Sequence, residues 1–349
     1  MLKEGCSFIH HFPTTTCQQI HYFRYTLNSG KSKMKIGIDI MGGDFAPEQT
    51  VLGSIEARKE LPSNVELVLI GDKEAMLPIF ARENFSAEKF SIIHCSEVIG
   101  MGEHPTKAIQ QKPNSSLAVG FQLLKEGKIH SFASAGNTGA MLVGSMFSVK
   151  AIPGIHRPAI TSPLPKFNGG WGVILDVGVN ADCKPEILQQ FATLGSIYAE
   201  SILNIKNPSV GLMSIGEEEE KGNLLVKETH QLLKTMSTIN FIGNVEGRDL
   251  FNEKADVVVC DGFTGNVILK EAESFYAMIR RRGIRDEYFD RFDFEDYGGT
   301  PILGINSNVI IAHGISKAKA IKNMILLSKN VIDAKLSEKI ANAFTKETV

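Results

Sequence analysis

Met34-Lys35-Ile36-Gly37-Ile38-Asp39-Ile40-Met41-Gly42-Gly43-Asp44 decides the fold class. The β-branched run Ile36–Ile40 predicts a strand, the glycines stop it, and an amphipathic stretch over Pro47–Glu60 predicts a helix. Outward from there the same rhythm recurs. Val65–Ile70 runs into Gly71-Asp72 and a helix over Lys73–Glu83, and Phe90–Cys95 runs into Ser96–Gly100. Ser131–Ser134 meets Ala135–Gly139 and an apolar helix through Phe147. Gly172–Leu175 meets Asp176–Asp182 and a helix over Pro185–Leu203; Val210–Ile215 meets Gly216, four glutamates and a helix over Leu224–Lys234. Asn240–Ile242 meets Gly243–Asp249, and Val257–Cys260 meets Asp261–Asn266 and a further helix. Val309–Ala312 precedes His313-Gly314 and a helix over Ser316–Leu327.

Strands alternating with helices predict an α/β fold, a mostly parallel, doubly wound sheet covered on both faces. Near-continuous apolar strands such as Val257-Val258-Val259 fit burial on both sides. Ligands of such sheets bind outside the carboxyl ends of the strands, where these polar loops fall. No Pro- or Ser-rich linker divides 34–349, so a single domain is expected there, with an inserted, protruding helical region at about 266–297. Residues 1–33 lack a sustained apolar period and read as a flexible extension, in which the His10-His11 pair is not taken as a metal site.

With a formal net charge of −2 over 349 residues, no global field draws the chain to nucleic acid or acidic lipid. Five scattered cysteines without a C-x-x-C pair fit free thiols and a cytoplasmic setting. No apolar run approaches the roughly 20 residues of a membrane span. Phosphate-loop, dinucleotide, zinc-protease and nucleophile-elbow signatures are absent, which removes support from nucleotide hydrolysis, hydride transfer, zinc proteolysis and serine hydrolysis. No spacing specifies a metal or cofactor, and none is expected.

Glycine permits close backbone approach and a following helix presents free N–H groups, so these loops suit an anion. Each alone is weak, since strand-to-helix turns need Gly and Asn for steric reasons. Lys184, at a predicted helix start, could meet an anion or be a solvated surface lysine. Lys221 and Asn223 follow the glutamates, which most simply form a solvated face. Cys183 beside Lys184 is a conceivable nucleophile but reads more simply as a small turn residue. His104 and His313 are conceivable bases or hydrogen-bonded loop residues.

Met34–Pro47, Ser134–Ala140, Asp176–Glu186, Ile215–Asn223, Phe241–Asp249, Cys260–Lys270 and Tyr297–Gly314 together resemble, in order, the bacterial phosphate acyltransferases of phospholipid synthesis. The resemblance covers nearly all of 34–327. It implies a fold like that of phosphotransacetylases and isocitrate dehydrogenase-like proteins. It implies transfer of a fatty acyl group from acyl carrier protein to inorganic phosphate, giving acyl-phosphate for a membrane-bound glycerol-phosphate acyltransferase. It also implies a cytoplasmic homodimer that visits the membrane surface. Departures are the extra residues 1–33, Phe45 where many members carry His, Val179 in place of Ala, and the arginine-rich segment after Asn266.

On this reading phosphate attacks the thioester directly. Lys184, Asn137 and Asn180 form the catalytic set. Gly42, Gly43, Asp44, Ser134, Gly136, Thr138, Gly139, Asp182, Lys221, Asn223 and Asn266 hold phosphate or substrate. Ile268, Ala272, Phe275, Tyr276 and Ile279 fall at helical spacing ahead of Arg280, Arg281, Arg282 and Arg285, a pattern fitting anionic lipid, the acidic carrier protein, or a dimer or core face equally. The rivals are a short-chain phosphotransacylase using a coenzyme A thioester and a non-catalytic membrane-docking scaffold.

Overall fold

The computed structural model describes residues 33–346; the expected extension, with His10-His11, lies outside them except for Lys33. Eleven strands occur in chain order: β1 (Met34–Asp39), β2 (Val65–Gly71), β3 (Ser91–His94), β4 (Ser131–Ser134), β5 (Ala159–Pro165), β6 (Trp171–Leu175), β7 (Ser209–Met213), β8 (Asn240–Val245), β9 (Val257–Val259), β10 (Thr300–Leu303) and β11 (Asn308–Ile311). They form one sheet in the order β3-β2-β1-β4-β11-β10-β5-β6-β9-β7-β8. The first five are mutually parallel, as are the last four. The three pairings through β10 and β5 are antiparallel. Three reversals leave the two parallel sets running in opposite directions.

This corrects the expectation that the polar loops share one edge. The carboxyl ends of β1, β4 and β11 open at one end of the sheet, and those of β6, β9 and β7 at the other. The sequence pattern missed β5 and β10, the strands that make the reversal. β5 carries Pro163 and Pro165, which cannot donate to a ladder. They are tolerated because β10 pairs only Ala159 and Ile160, leaving the rest of β5 with β6 as its one neighbour.

Alternation along each strand splits the core between two faces. Ile36, Ile38 and Ile40 join Val173, Leu175, Val257 and Val259 beneath the helices Glu48–Glu60, Pro185–Ser201 and Ala318–Asp333. The opposite face is covered over the first set by Ser116–Lys125 and Thr138–Ser148. Over the second set it is covered by the helix Gly262–Arg281, which meets Leu164, Ile174 and Val258. Neighbouring strands therefore send their following helices to opposite faces at several places, among them between β1 and β4 and between β9 and β7. Such switch points are where open α/β sheets form ligand crevices.

Candidate active site

At the β1–β4 switch point the loops are closed on one another. Asp39, 1% exposed, accepts from the Ser134 hydroxyl (2.6 Å) and the Met41 amide (3.0 Å), while Ser134 Oγ accepts from the Gly136 amide at 2.8 Å. Burial raises the Asp39 carboxyl above its ordinary range, offset by the hydroxyls of Ser116 and Ser134. Gly42 is glycine because a Cβ there would sit 2.4 Å from Asp39 Oδ2 and 2.8 Å from the Gly136 nitrogen. The Asp44 amide donates to the Gly314 carbonyl, which closes the loop against the end of β11.

Asn137, expected to donate to substrate, spends its side chain internally. Its Nδ2 donates to the carbonyls of Gly100, Met101 and Glu103, and its Oδ1 caps the helix Thr138–Ser148 through the Ala140 amide. It clamps the 100–103 loop to the helix start. Thr138 is exposed at that start, and Gly139 packs against Pro105.

The opposite edge repeats the device. Asp176, fully buried, follows β6 and accepts from the Ile160 amide (3.0 Å), the Asn180 amide (2.6 Å) and Asn180 Nδ2 (2.8 Å). Burial raises its carboxyl too, with the Ile160 amide the first of the offsetting donors. Asn180 Nδ2 also donates to the Pro158 carbonyl, so this side chain, like Asn137, holds the loop rather than pointing a free donor outward. The sequence signal for both aspartates is an apolar strand ending in Asp, a pattern that no standard motif contains.

Lys184 lies four residues on, exposed, as the N-cap of Pro185–Ser201, and among the described residues it has no ion-pair or hydrogen-bond partner for its ammonium. Asp182 is exposed beside it, its carbonyl accepting from Arg157. Cys183 is unsuited to nucleophilic work: burial, with the nearby carboxylate of Asp176, pushes its thiol up to about 11.

Between β7 and β9, the second switch point, lies an open cleft of about 540 Å³. Its walls are Leu188, Leu212, Met213, Ile215 and Val226, and its polar groups are Ser214, Asn223, Asp261 and Thr264. Asp261, not singled out from sequence, caps the helix Gly262–Arg281 by accepting from the Thr264 amide and hydroxyl, both at 2.8 Å. The Gly262–Asn266 stretch read as a loop is thus the first turn of that helix; the capping aspartate was its visible signal. Asn266 is exposed near Gly178, joining this helix start to the Asp176–Lys184 loop.

Asn223 caps Leu224–Lys234 through the Val226 amide (2.9 Å), placing a helix N-terminus at the cleft rim. The Ser214 hydroxyl, buried at the cleft, has no partner. Lys221 is exposed beside it, its ammonium unpaired. Two of the four glutamates are held by cations, Glu217 by Lys254 and Glu219 by Lys234. Among the described residues no three His, Cys, Asp or Glu side chains group as a metal site would require.

Asn180, Asp182, Lys184, Lys221, Asn223 and Asn266 are therefore on one edge, whereas Gly42, Gly43, Asp44, Ser134, Gly136, Asn137, Thr138 and Gly139 are on the other. One constellation read from the sequence is two in space.

The helix Gly262–Arg281 bridges the edges: it starts at the cleft and carries Glu273 to within 3.9 Å of His313, at the end of β11. Its sequence stripe divides between two faces. Ile268 and Ala272 line a cavity over β5 and β6, while Phe275 is 52% exposed. With Phe263, Val267 and Met278, Phe275 makes an outward apolar stripe. Arg280 pairs with Asp290 at 2.7 Å; Arg281, Arg282 and Arg285 are exposed and unpaired. No helix among the described residues is long and apolar enough to cross a membrane.

The fold resembles that of a phosphotransacetylase from Streptococcus pyogenes (TM-score 0.63, 17% identity, 86% of this chain and 94% of that one). It also resembles a branched-chain phosphotransacylase from Enterococcus faecalis V583 (TM-score 0.60, 13% identity, 85% and 98%). At those identities the likeness speaks to the fold alone, and it bears out the phosphotransacetylase-like architecture. In sequence the chain is 43% identical over 334 residues to a phosphate acyltransferase from Dictyoglomus turgidum, covering 90% of this chain and 99% of the relative. Residues 34–339 match the model of the fatty acid synthesis protein family. The chain belongs to that family, the bacterial phosphate acyltransferases.

Proposed function

We propose that this chain transfers a long-chain fatty acyl group reversibly from acyl carrier protein to inorganic phosphate, supplying acyl-phosphate for phospholipid synthesis. An oxygen of hydrogen phosphate attacks the thioester carbonyl, the carbon–oxygen bond forms, the carbon–sulfur bond breaks, and the carrier leaves as its thiol, the leaving sulfur taking the proton that the phosphate gives up. A phosphate dianion needs no activating base of its own, so the protein's work is to neutralise charge and to position the reactants. Coexistence on one edge of an open switch-point cleft and the unpaired Lys184 carries this reading. Lys184 neutralises phosphate or the developing oxyanion, Lys221 and the amides opening Leu224–Lys234 add positive potential at the rim, and Asn180 holds the Asp176 loop in shape. The closed β1–β4 crevice, with Gly42, Gly43 and Asn137, is left to fix the first half of the sheet.

The exposed stripe Phe263, Val267, Phe275 and Met278, followed by Arg281, Arg282 and Arg285, suits the acidic carrier protein and transient contact with the membrane surface, where a glycerol-phosphate acyltransferase would take the product. A cytoplasmic homodimer belongs to the same reading, as does residues 34–349 acting as one catalytic domain. Lys184→Ala is the test: acyl-phosphate formation should fall about 10²–10³-fold, the scale for losing one preorganised oxyanion partner, with an unchanged melting temperature. Near wild-type turnover in the folded variant would remove Lys184 from the reaction.

A further inference from the structure

The cleft between β7 and β9 has apolar walls that phosphate does not need. Leu188, Leu212, Met213 and Val226 line it; Ile215, also in the lining, is 82% exposed, and Leu224, which follows the lining residue Asn223, is 70% exposed. Large aliphatic side chains left this open at a concave site are characteristic of a surface that an apolar ligand covers. Polar groups lie on both sides of it: Asp261 and Thr264 at the helix start whose Gly262 amide donates to the Asn180 carbonyl, and Asn223 with the buried Ser214 hydroxyl beside Gly222 and Val226. The apolar walls suit a long aliphatic part, and the side next to the Asp176–Lys184 loop is where a reacting polar terminus would meet Lys184.

We infer that this cleft is the acyl-chain pocket, with the thioester at the Asp261–Thr264 end and the hydrocarbon laid along Leu188, Leu212 and Val226 toward Ile215; the assignment rests on the acyl-transfer reading. The apolar space between the helix Gly262–Arg281 and strands β5 and β6 offers only about 20 Å³ against about 540 Å³ in the cleft, and the cavity at Trp171, Ile202, Leu203 and Ile205 lies away from the Asp176–Lys184 loop, at the start of β6. Water-sized room cannot admit an alkyl chain. The outward stripe on that helix is convex and encloses nothing, but Phe263 adjoins Thr264 at the cleft, so the stripe gives a chain an apolar approach to the pocket.

Binding is measured with the whole protein, without phosphate or carrier protein, by displacement of cis-parinaric acid with saturated fatty acids of graded length. Affinity should rise about fourfold per methylene until the cleft is full. Ile215→Glu, at an exposed position that leaves folding intact, should weaken palmitate at least tenfold. Val226→Trp, which fills the cleft, should flatten the length dependence. Length-independent binding, or palmitate bound by both variants as by the wild type, overturns the pocket. Because the assay involves no transfer, its outcome separates from the reaction itself. Graded binding without acyl-phosphate formation would leave the pocket standing and sink the transfer reading, whereas acyl-phosphate formation with ungraded binding would do the reverse.

Discussion

Asn180→Ala separates a loop-holding side chain from a substrate donor. The substitution removes Nδ2, which donates at 2.8 Å both to Asp176 Oδ2 and to the Pro158 carbonyl, at a residue 5% exposed. A hydrogen bond to a charged group contributes about 1.5–3 kcal/mol and a neutral one about 1, so the expected loss is about 2–4 kcal/mol. At about 2 °C per kcal/mol for a chain of this size, that is a drop of about 4–8 °C in melting temperature.

The pH dependence has a definite sign. Burial raises the Asp176 carboxyl above the ordinary carboxylate range, and removing a donor to the carboxylate raises it further. Both states are protonated well below the ordinary carboxylate range. As the pH rises the unfolded chain ionises first, so folded-state stability falls until the raised folded value is passed, and it falls further in the variant. Calorimetric melts at pH 4 and pH 8 should show the larger deficit at pH 8. A variant that melts with the wild type at both, yet loses turnover, would mean that the amide serves a ligand and not Asp176.

Cys183→Ser should keep most acyl-phosphate formation, because a thiol pushed up to about 11 is almost wholly protonated at neutral pH; abolished turnover in a folded variant would revive a covalent acyl-thiol route. Replacing Arg281, Arg282 and Arg285 by Glu should raise KM for the acyl carrier protein at least tenfold at low salt, with the gap closing as ionic strength rises, and leave the melting temperature within about 1 °C. Gly42→Ala should destabilise the chain by about 1–3 kcal/mol in urea, since its Cβ would sit 2.4 Å from Asp39 Oδ2.

Nine of the eleven strands were legible as short runs ended by a polar or glycine loop, and all of these but Phe90–Cys95 and Asn240–Ile242 lead into a helical period. β5 and β10 were not. One holds two prolines and the other follows Gly298-Gly299, and neither is separated from its neighbour by a helix, so the βα rhythm gives no sign of them. Their absence from the pattern hid the reversal that puts Lys184 and Gly42 on opposite edges. Residue type also overstated Asn137 and Asn180: asparagine in a glycine loop reads as a donor to ligand, but both sit where loop carbonyls or a buried carboxylate need that donor first. Lys184, Lys221 and Asn266 stayed exposed and available, as long polar side chains at helix starts do when nothing nearby requires them.

The most direct measurement is to incubate the purified full-length chain with palmitoyl acyl carrier protein and inorganic phosphate, and to follow free carrier thiol and acyl-phosphate together. Acyl transfer to phosphate requires the two to appear in equal amounts and to depend on phosphate, with palmitoyl coenzyme A a poorer donor. Loss of thioester without phosphate dependence, or turnover of a short-chain coenzyme A thioester in preference to the carrier-protein thioester, would contradict it.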